Sequence, residues 1–493
     1  MDQDRLQPRA LTPIIQGGMG VAISDWRLAR SVAEEGYTGI VSGTGVALVF
    51  IARLQRGDPG GHVRRSLARF PDPSITEMVL ERYFVEGGIG EGERHRRPLM
   101  WSLKPKHELV ALTVVANFVE VDLARSNVDG PVPGPVGINL LEKIQLPHMA
   151  SLYGAMLAGV DVVIMGAGMP TQIPGILDRL ATHQPVRYRL DVVGPAREDG
   201  ADDELLFDPS ISFPELVAHG PLKRPAFLPI ISSNILATAM VKRASGPVQG
   251  FVVEAPTAGG HNAPPRGKMQ LDERGEPIYG KRDVVDLERL QDIGLPFWMA
   301  GGYGRKGGLA AARALGAAGI QVGTAFAFCT QSGMATDVRR QVLHQALDGA
   351  VRVRTAPAVS PTGYPFKVVE ADGSLSDMGV YAKRQRVCDL GFLRTLYRTP
   401  KGSVGFRCPA EPAKAFLAKG GTEEEMEGRV CLCNALEATA GFAQLRAEGE
   451  REPPVVTAGD ALADLSELVP ADTEDGEYSA ADVIAWLLED VQE

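Results

Sequence analysis

The residues of this chain best suited to chemistry are one histidine and two glycine turns. His261 ends the string Glu254-Ala-Pro-Thr-Ala-Gly-Gly-His261, which follows the apolar run Phe251–Glu254. Imidazole titrates near neutrality, and a histidine just past a barrel strand faces the catalytic side. A lone histidine among eight is more often structural or exposed, so position carries the argument. Met299-Ala-Gly-Gly-Tyr-Gly304 and Gln321-Val-Gly-Thr-Ala325 each follow a short apolar run, with the helical pattern Gly308–Gly316 between them. Glycines let backbone N–H groups approach an anion, and a helix N-terminus adds a favourable dipole. Strand, glycine turn, helix, strand, glycine turn is how a βα barrel builds a phosphate cradle after its seventh and eighth strands. A phosphorylated cofactor is expected there.

Gly302-Tyr-Gly304-Arg-Lys-Gly307 also spells the G-x-G-x-x-G dinucleotide fingerprint. That fingerprint needs a carboxylate at the end of the next strand to hold a ribose hydroxyl. Here the next strand ends Gln321-Val-Gly-Thr324, so a mononucleotide cradle fits better.

The elements that must position these residues are eight apolar runs: 13–16, 39–42, 136–140, 161–165, 227–231, 251–254, 297–300 and 320–323. Near-continuous apolar runs suit parallel strands covered on both faces. Helical patterns follow most of them, at 26–35, 149–158, 172–180, 236–243 and 284–292. Repeated strand-then-helix units predict an α/β fold, a (β/α)₈ TIM barrel. Insertions are expected at about 53–106, with a helix near 75–84, and at 186–225, with a hairpin followed by an acidic loop at Glu198–Glu204. Insertions of this size shape an active-site mouth or an oligomer contact. The expected organisation is a barrel over 1–350, a cysteine-containing accessory region over 351–450 and an acidic tail over 451–493, with one helix at Ala480–Val491.

The 493 residues are 44% hydrophobic, enough for a large core. A net charge of −10 argues against nucleic acid or an anionic membrane as partner. No apolar run approaches the ~18 residues of a membrane span, and Met1–Gln7 lacks the pattern of a secretion signal. Five cysteines are too few for a disulfide scaffold. A cytoplasmic enzyme with a small-molecule substrate is expected, with homo-oligomerisation left open.

Five strings recur in a known order: Pro13-Ile-Ile-Gln-Gly-Gly-Met-Gly20, Gly137-Ile-Asn139, Ala258-Gly-Gly-His261, Ala300-Gly-Gly302 and Gln321-Val-Gly-Thr324. Together they resemble the nitronate monooxygenase (2-nitropropane dioxygenase-like) family of FMN barrels, related to FMN-dependent enoyl-acyl carrier protein reductases. The resemblance covers roughly residues 10 to 335. It implies non-covalent FMN, with Gly301, Gly302, Gly323 and Thr324 on the phosphate. Gln16, Gly17, Gly18 and Met19 would lie along the ring system, with Asn139, Gly260 and Gln321 also at the cofactor. His261 would face the substrate as acid or base, either protonated to bind a nitronate or neutral to take a proton. O₂ would be the co-substrate, or NAD(P)H in the enoyl reductase alternative; a non-catalytic FMN-bound scaffold is the third reading. The family pattern has a tight loop after the histidine, whereas here a long stretch reaches to about Arg282, and its Arg266 and Lys268 are candidates to grip an anionic substrate.

Four of the five cysteines, Cys388, Cys408, Cys431 and Cys433, fall within one region. Four thiolates can bind Zn²⁺ or an iron–sulfur cluster. The spacing is irregular, and inert buried cysteines are the competing explanation.

Overall fold

The eight apolar runs become eight parallel strands that close on themselves: β1 (Ile14–Gln16), β2 (Thr38–Ser42), β3 (Val136–Leu141), β4 (Val162–Gly166), β5 (Ala226–Ile231), β6 (Phe251–Glu254), β7 (Phe297–Ala300) and β8 (Gly319–Val322). The computed structural model describes residues 8–90, 92–127, 130–197, 199, 203–446, 449–469 and 476–489. Met1–Gln7, most of the acidic loop at 198–204 and the end of the helix expected to reach Val491 lie outside the described residues.

Each strand pairs with its sequence neighbours, and β1 pairs with β8 (Ile15 opposite Gln321) to complete the ring. Ile15, Ile40, Val162, Ile164, Leu228, Val252 and Trp298 fill the barrel interior. The opposite strand faces pack under the helices in the principal core. Fully burying one such side chain is worth roughly 1.5–3 kcal/mol. Strand β2 runs so close to the helix Trp26–Glu34 that a Cβ on Gly39 would lie 1.9 Å from Ala29 O. At the N-terminal end of the barrel, Asp161 is fully buried and paired with Arg9, Arg125 and Lys223.

The helix His107–Arg125, ahead of β3, is apolar on nearly every face and buried along most of its length. Such a helix is sandwiched between other elements rather than amphipathic. Its one buried carboxylate, Glu120, accepts from Trp26 N at 2.8 Å and from Arg53 at 2.6 Å. The first insertion holds the expected helix, at Pro73–Tyr83. In the second, Val186–Arg189 pairs with Glu204–Phe207 across the acidic loop, not within the alternating run ahead of it, and Val192–Val193 pairs with Leu396–Tyr397.

Part of the chain after 350 packs in a second core, Ala356, Phe366, Leu393, Leu432 and Val455 around Ile144, and part joins the barrel. The hairpin Val353–Ala356/Phe366–Val369 is joined to the histidine loop by a bridge between Phe366 and His261. Val456, Ala458, Leu462, Ile484 and Leu487 are buried in the same core as the barrel strands. The stretch expected to be solvated surface therefore includes core, because Ala480–Leu488 presents Val483, Ile484, Trp486 and Leu487 inward. No helix among the described residues is long and apolar enough to cross a membrane.

Candidate active site

A cavity of about 260 Å³ opens at the C-terminal ends of the strands. This is the face on which barrel enzymes carry their sites, because the loops after each strand converge there. Gly17, Gly18, Met19, Asn139, Gly260, His261, Gly301, Gly302, Gln321, Gly323 and Thr324 all line it, so the motifs spread over the sequence meet in one place.

Gln16 is the exception. It is fully buried beneath the cavity and does not line it. Its Oε1 accepts from Ile40 N at 3.0 Å and its Nε2 reaches Ser24 Oγ at 3.0 Å, so the amide anchors the glycine loop instead of facing a ligand.

Two local features fit a flavin nucleotide. The turn after β7 has Gly301 at φ +81° and Gly302 at φ +80°; a Cβ on Gly301 would lie 2.9 Å from Thr257 Oγ1 and 3.0 Å from Ala258 N. Only glycine suits that turn, which keeps backbone near the cavity. On the adjacent strand β8, Gln321 Oε1 is buried without a hydrogen-bond partner, an orphaned acceptor of the kind a ring N–H satisfies. Gly18 has a packing role: a Cβ there would be 2.3 Å from Asn139 Cβ.

The C-terminal chain completes the walls. Thr457 Oγ1 accepts from Gly260 N at 2.9 Å, and Gly459 N donates to Thr324 Oγ1 at 2.9 Å. Phe392, Leu393, Cys433, Leu436 and Glu437 also line the cavity. A smaller apolar side cavity, lined by Trp101, Leu109 and Pro147, shares Thr44, Gly45, Leu48, Leu141, Ile144 and Phe392 with the main one.

His261 Nε2 lies 2.7 Å from Ser360 Oγ, and its ring stands edge-on to Phe366 at 4.9 Å. Burial pushes its value down to about 4, so the ring is neutral near pH 7. The protonated alternative is therefore disfavoured. Glu254, at the end of β6, also lines the cavity, and burial raises its carboxyl to about 8. Sequence reading passed over Glu254, although the end of a barrel strand is itself the signal. None of the described cavity-lining residues is Lys or Arg. Arg266 lines an adjoining small pocket with Tyr279 and Asp283, which shares Glu254 with the main cavity, and it is not among the main cavity's lining residues.

The four clustered cysteines do come together, with Cys408 and Cys431 buried and Cys388 and Cys433 packed against them. Among the described residues, however, no three His, Cys, Asp or Glu side chains are grouped to hold a metal ion, so neither the zinc site nor the iron–sulfur cluster considered from the sequence is supported.

Residues 222–369 match the model of the nitronate monooxygenase family. No curated protein sequence matches the chain. The solved structures that resemble it include FabK from Thermotoga maritima, at 17% identity over 99% of this chain and 94% of that one, TM-score 0.43. A nitroalkane oxidase from Streptomyces ansochromogenes is 17% identical over 99% of this chain and 96% of that one, TM-score 0.40. The enoyl reductase domain of MlnA from Bacillus amyloliquefaciens is 11% identical over 97% of this chain and 94% of that one, TM-score 0.46. Identities this low bear on the fold alone. The segment that matches the nitronate monooxygenase model carries the histidine loop and both glycine turns.

Proposed function

We propose that this chain oxidises a small carbon acid, a nitroalkane or its nitronate, using FMN held at the C-terminal face of the barrel, with O₂ as co-substrate. Bound FMN would supply the electron chemistry, which no side chain here can perform. Gly301, Gly302, Gly323 and Thr324 would hold its phosphate, and Gln321, Asn139 and the Gly17–Met19 loop would meet the rest of the cofactor.

The observation that carries the reading is the neutral His261 in the cavity wall, within the segment matched to the family. A neutral imidazole takes a proton from the carbon next to a nitro group; a protonated one cannot. When Nε2–H donates to Ser360, the lone pair sits on Nδ1 and that atom receives the proton. Glu254, protonated below about 8, adds no negative charge beside the forming anion. Phe366 and the chain around Thr457 shield the site from water.

The cavity favours the uncharged nitroalkane over its anionic nitronate, because no Lys or Arg among the described residues lines it. That same property, together with the apolar side cavity, supports a second reading: reduction of an enoyl thioester by NAD(P)H, with the acyl chain running toward Trp101. Anaerobic mixing separates the two. Bleaching of the flavin by a nitroalkane, with no bleaching by NADH or NADPH, supports the first, and the opposite pattern supports the second. If neither reductant bleaches it and His261→Gln leaves the biological role intact, the protein is a scaffold.

A further inference from the structure

Beyond the C-terminal end of β3, whose Leu140 and Leu141 line it, lies the side cavity, of about 40 Å³. It adjoins the flavin cavity, and Leu48, Ile144 and Phe392 belong to the walls of both. The first insertion closes it with Pro98–Trp101, and the chain after 350 closes it with Asp389, Leu390 and Phe392. Leu109, Leu140, Ile144 and Pro147 make most of the remaining wall apolar. Apolar walls with a few fixed polar groups are the usual make-up of a small-molecule site.

Two buried polar side chains, Asn117 and His148, interrupt that wall, and each is only 1% exposed. Asn117 Nδ2 donates to Thr113 O at 2.8 Å, which fixes the amide and leaves Oδ1 as its acceptor. His148 Nε2 stands 3.1 Å from Leu141 O. A carbonyl only accepts, so the proton is on Nε2 and Nδ1 carries a lone pair. Thr113 has no donor to spare, because its hydroxyl donates to Leu109 O at 2.9 Å. Neither Asn117 Oδ1 nor His148 Nδ1 has a hydrogen-bond partner among the described residues. Leaving a buried acceptor unpaired is costly, and a water or a ligand donor ordinarily meets it. Both unpaired atoms are acceptors, so the matching ligand carries a donor.

We propose that the side cavity binds the unreacting tail of the substrate, an alkyl chain that carries a hydrogen-bond donor such as a hydroxyl for Asn117 and His148. Roughly 10–15 Å³ admits one water, so 40 Å³ takes about three waters or a chain of about three to four carbons. Waters would pair the acceptors but gain nothing from the apolar walls. A tail with a donor does both, and each methylene it buries is worth about fourfold in affinity. Ile144 and Phe392, common to the two cavities, carry the apolar surface from the flavin side to the tail side. The inference deepens the proposed function by naming the class of substrate, and it rests on that reading for the reacting end alone. Tail binding is measured without turnover, so the two readings fail separately.

The test is a titration of the full chain with 1-alkanols from butan-1-ol to octan-1-ol, each compared with the methyl ether of equal heavy-atom count. The signal is the emission of Trp101, which lines the cavity, with Trp101→Phe identifying it among the four tryptophans. Affinity is expected to rise about fourfold per methylene. Each ether is expected to bind about tenfold more weakly than its alcohol, because it leaves the acceptors unpaired. Leu109→Phe adds bulk to the wall and is expected to flatten the rise; Asn117→Leu is expected to narrow the gap between alcohol and ether. Circular dichroism shows whether each variant folds, and where one does not, the wild-type series decides alone. A flat alkanol series overturns the proposal, as do ethers bound as tightly as alcohols. So does a folded Leu109→Phe protein that keeps the whole rise. Alkanols bound as expected, with no nitroalkane oxidised, support the tail site and refute only the proposed reaction.

Discussion

The neutrality of His261 gives the sharpest prediction. An ordinary histidine loses its proton at about 6.5, whereas burial holds this one down to about 4. The difference corresponds to about 3 kcal/mol in favour of the neutral ring. At pH 5.5 an ordinary histidine would be roughly a tenth neutral, while this one stays almost wholly neutral, a difference of about tenfold in competent base. The perturbation is therefore acidification from pH 8 to 5. The assay is a proton–carbon NMR titration of protein labelled at histidine Cε1, with His261→Gln assigning the signal among the eight histidines. The signal is expected not to move above pH 5, and kcat/KM for a nitroalkane should lose less than half its value between pH 7 and 5. The sign for stability follows: the unfolded chain binds this proton from 6.5 downward while the folded chain resists it. His261 therefore costs the fold stability progressively as pH falls from about 6.5 toward 4. A titration midpoint near 6.5 in the folded protein would refute the reasoning.

Further outcomes follow from the same geometry. Gly301→Ala forces a side chain into a left-handed turn and against Thr257 Oγ1, costing roughly 1–2 kcal/mol for the backbone alone; fluorescence titration should show FMN binding weakened at least tenfold. Gln321→Leu removes the orphaned acceptor, and if that acceptor meets the flavin, FMN affinity falls by about 1–3 kcal/mol. FMN binding should change little between low and high salt, measured by the same titration, because no cation among the described residues lines the cavity. Asp161→Asn leaves Arg9, Arg125 and Lys223 without their shared anion and should cost about 3–5 kcal/mol in urea unfolding. Its neighbours hold Asp161 at about 2 despite its burial, so this stabilisation is present at neutral pH and fades as pH falls below 4.

The sequence was most legible where structure follows from local pattern. Runs such as Val136–Leu140 and Phe251–Glu254 are apolar because both strand faces are covered, and they mark the barrel to within a residue or so. The helix His107–Arg125 escaped for the complementary reason: apolar on every side, it shows no amphipathic period. Glycine turns announced the cavity, because a positive φ restricts the choice of residue at Gly301 and Gly302. Gln16 lies beneath the cavity and not in its wall, since pattern does not tell an amide that lines a cavity from one that props the loop beside it. The walls supplied by Thr457, Gly459 and Phe392 were invisible, since only the tertiary fold returns those segments to the barrel, Gly459 meeting Thr324 across a separation of 135 residues. Arg266, a candidate to grip an anionic substrate from the long loop after His261, lines a small pocket next to the main cavity, because charge and loop position do not tell which of two adjoining pockets a side chain enters.

The central claim is that backbone turns after β7 and β8 hold an FMN phosphate at the top of this barrel. Purified protein should be denatured and the released chromophore identified and quantified by chromatography, with Gly301→Ala in parallel. About one FMN per chain in the wild type, sharply reduced in the variant, is the predicted result. A folded protein that neither releases FMN nor takes it up, or that retains it equally well with alanine at 301, would contradict the account.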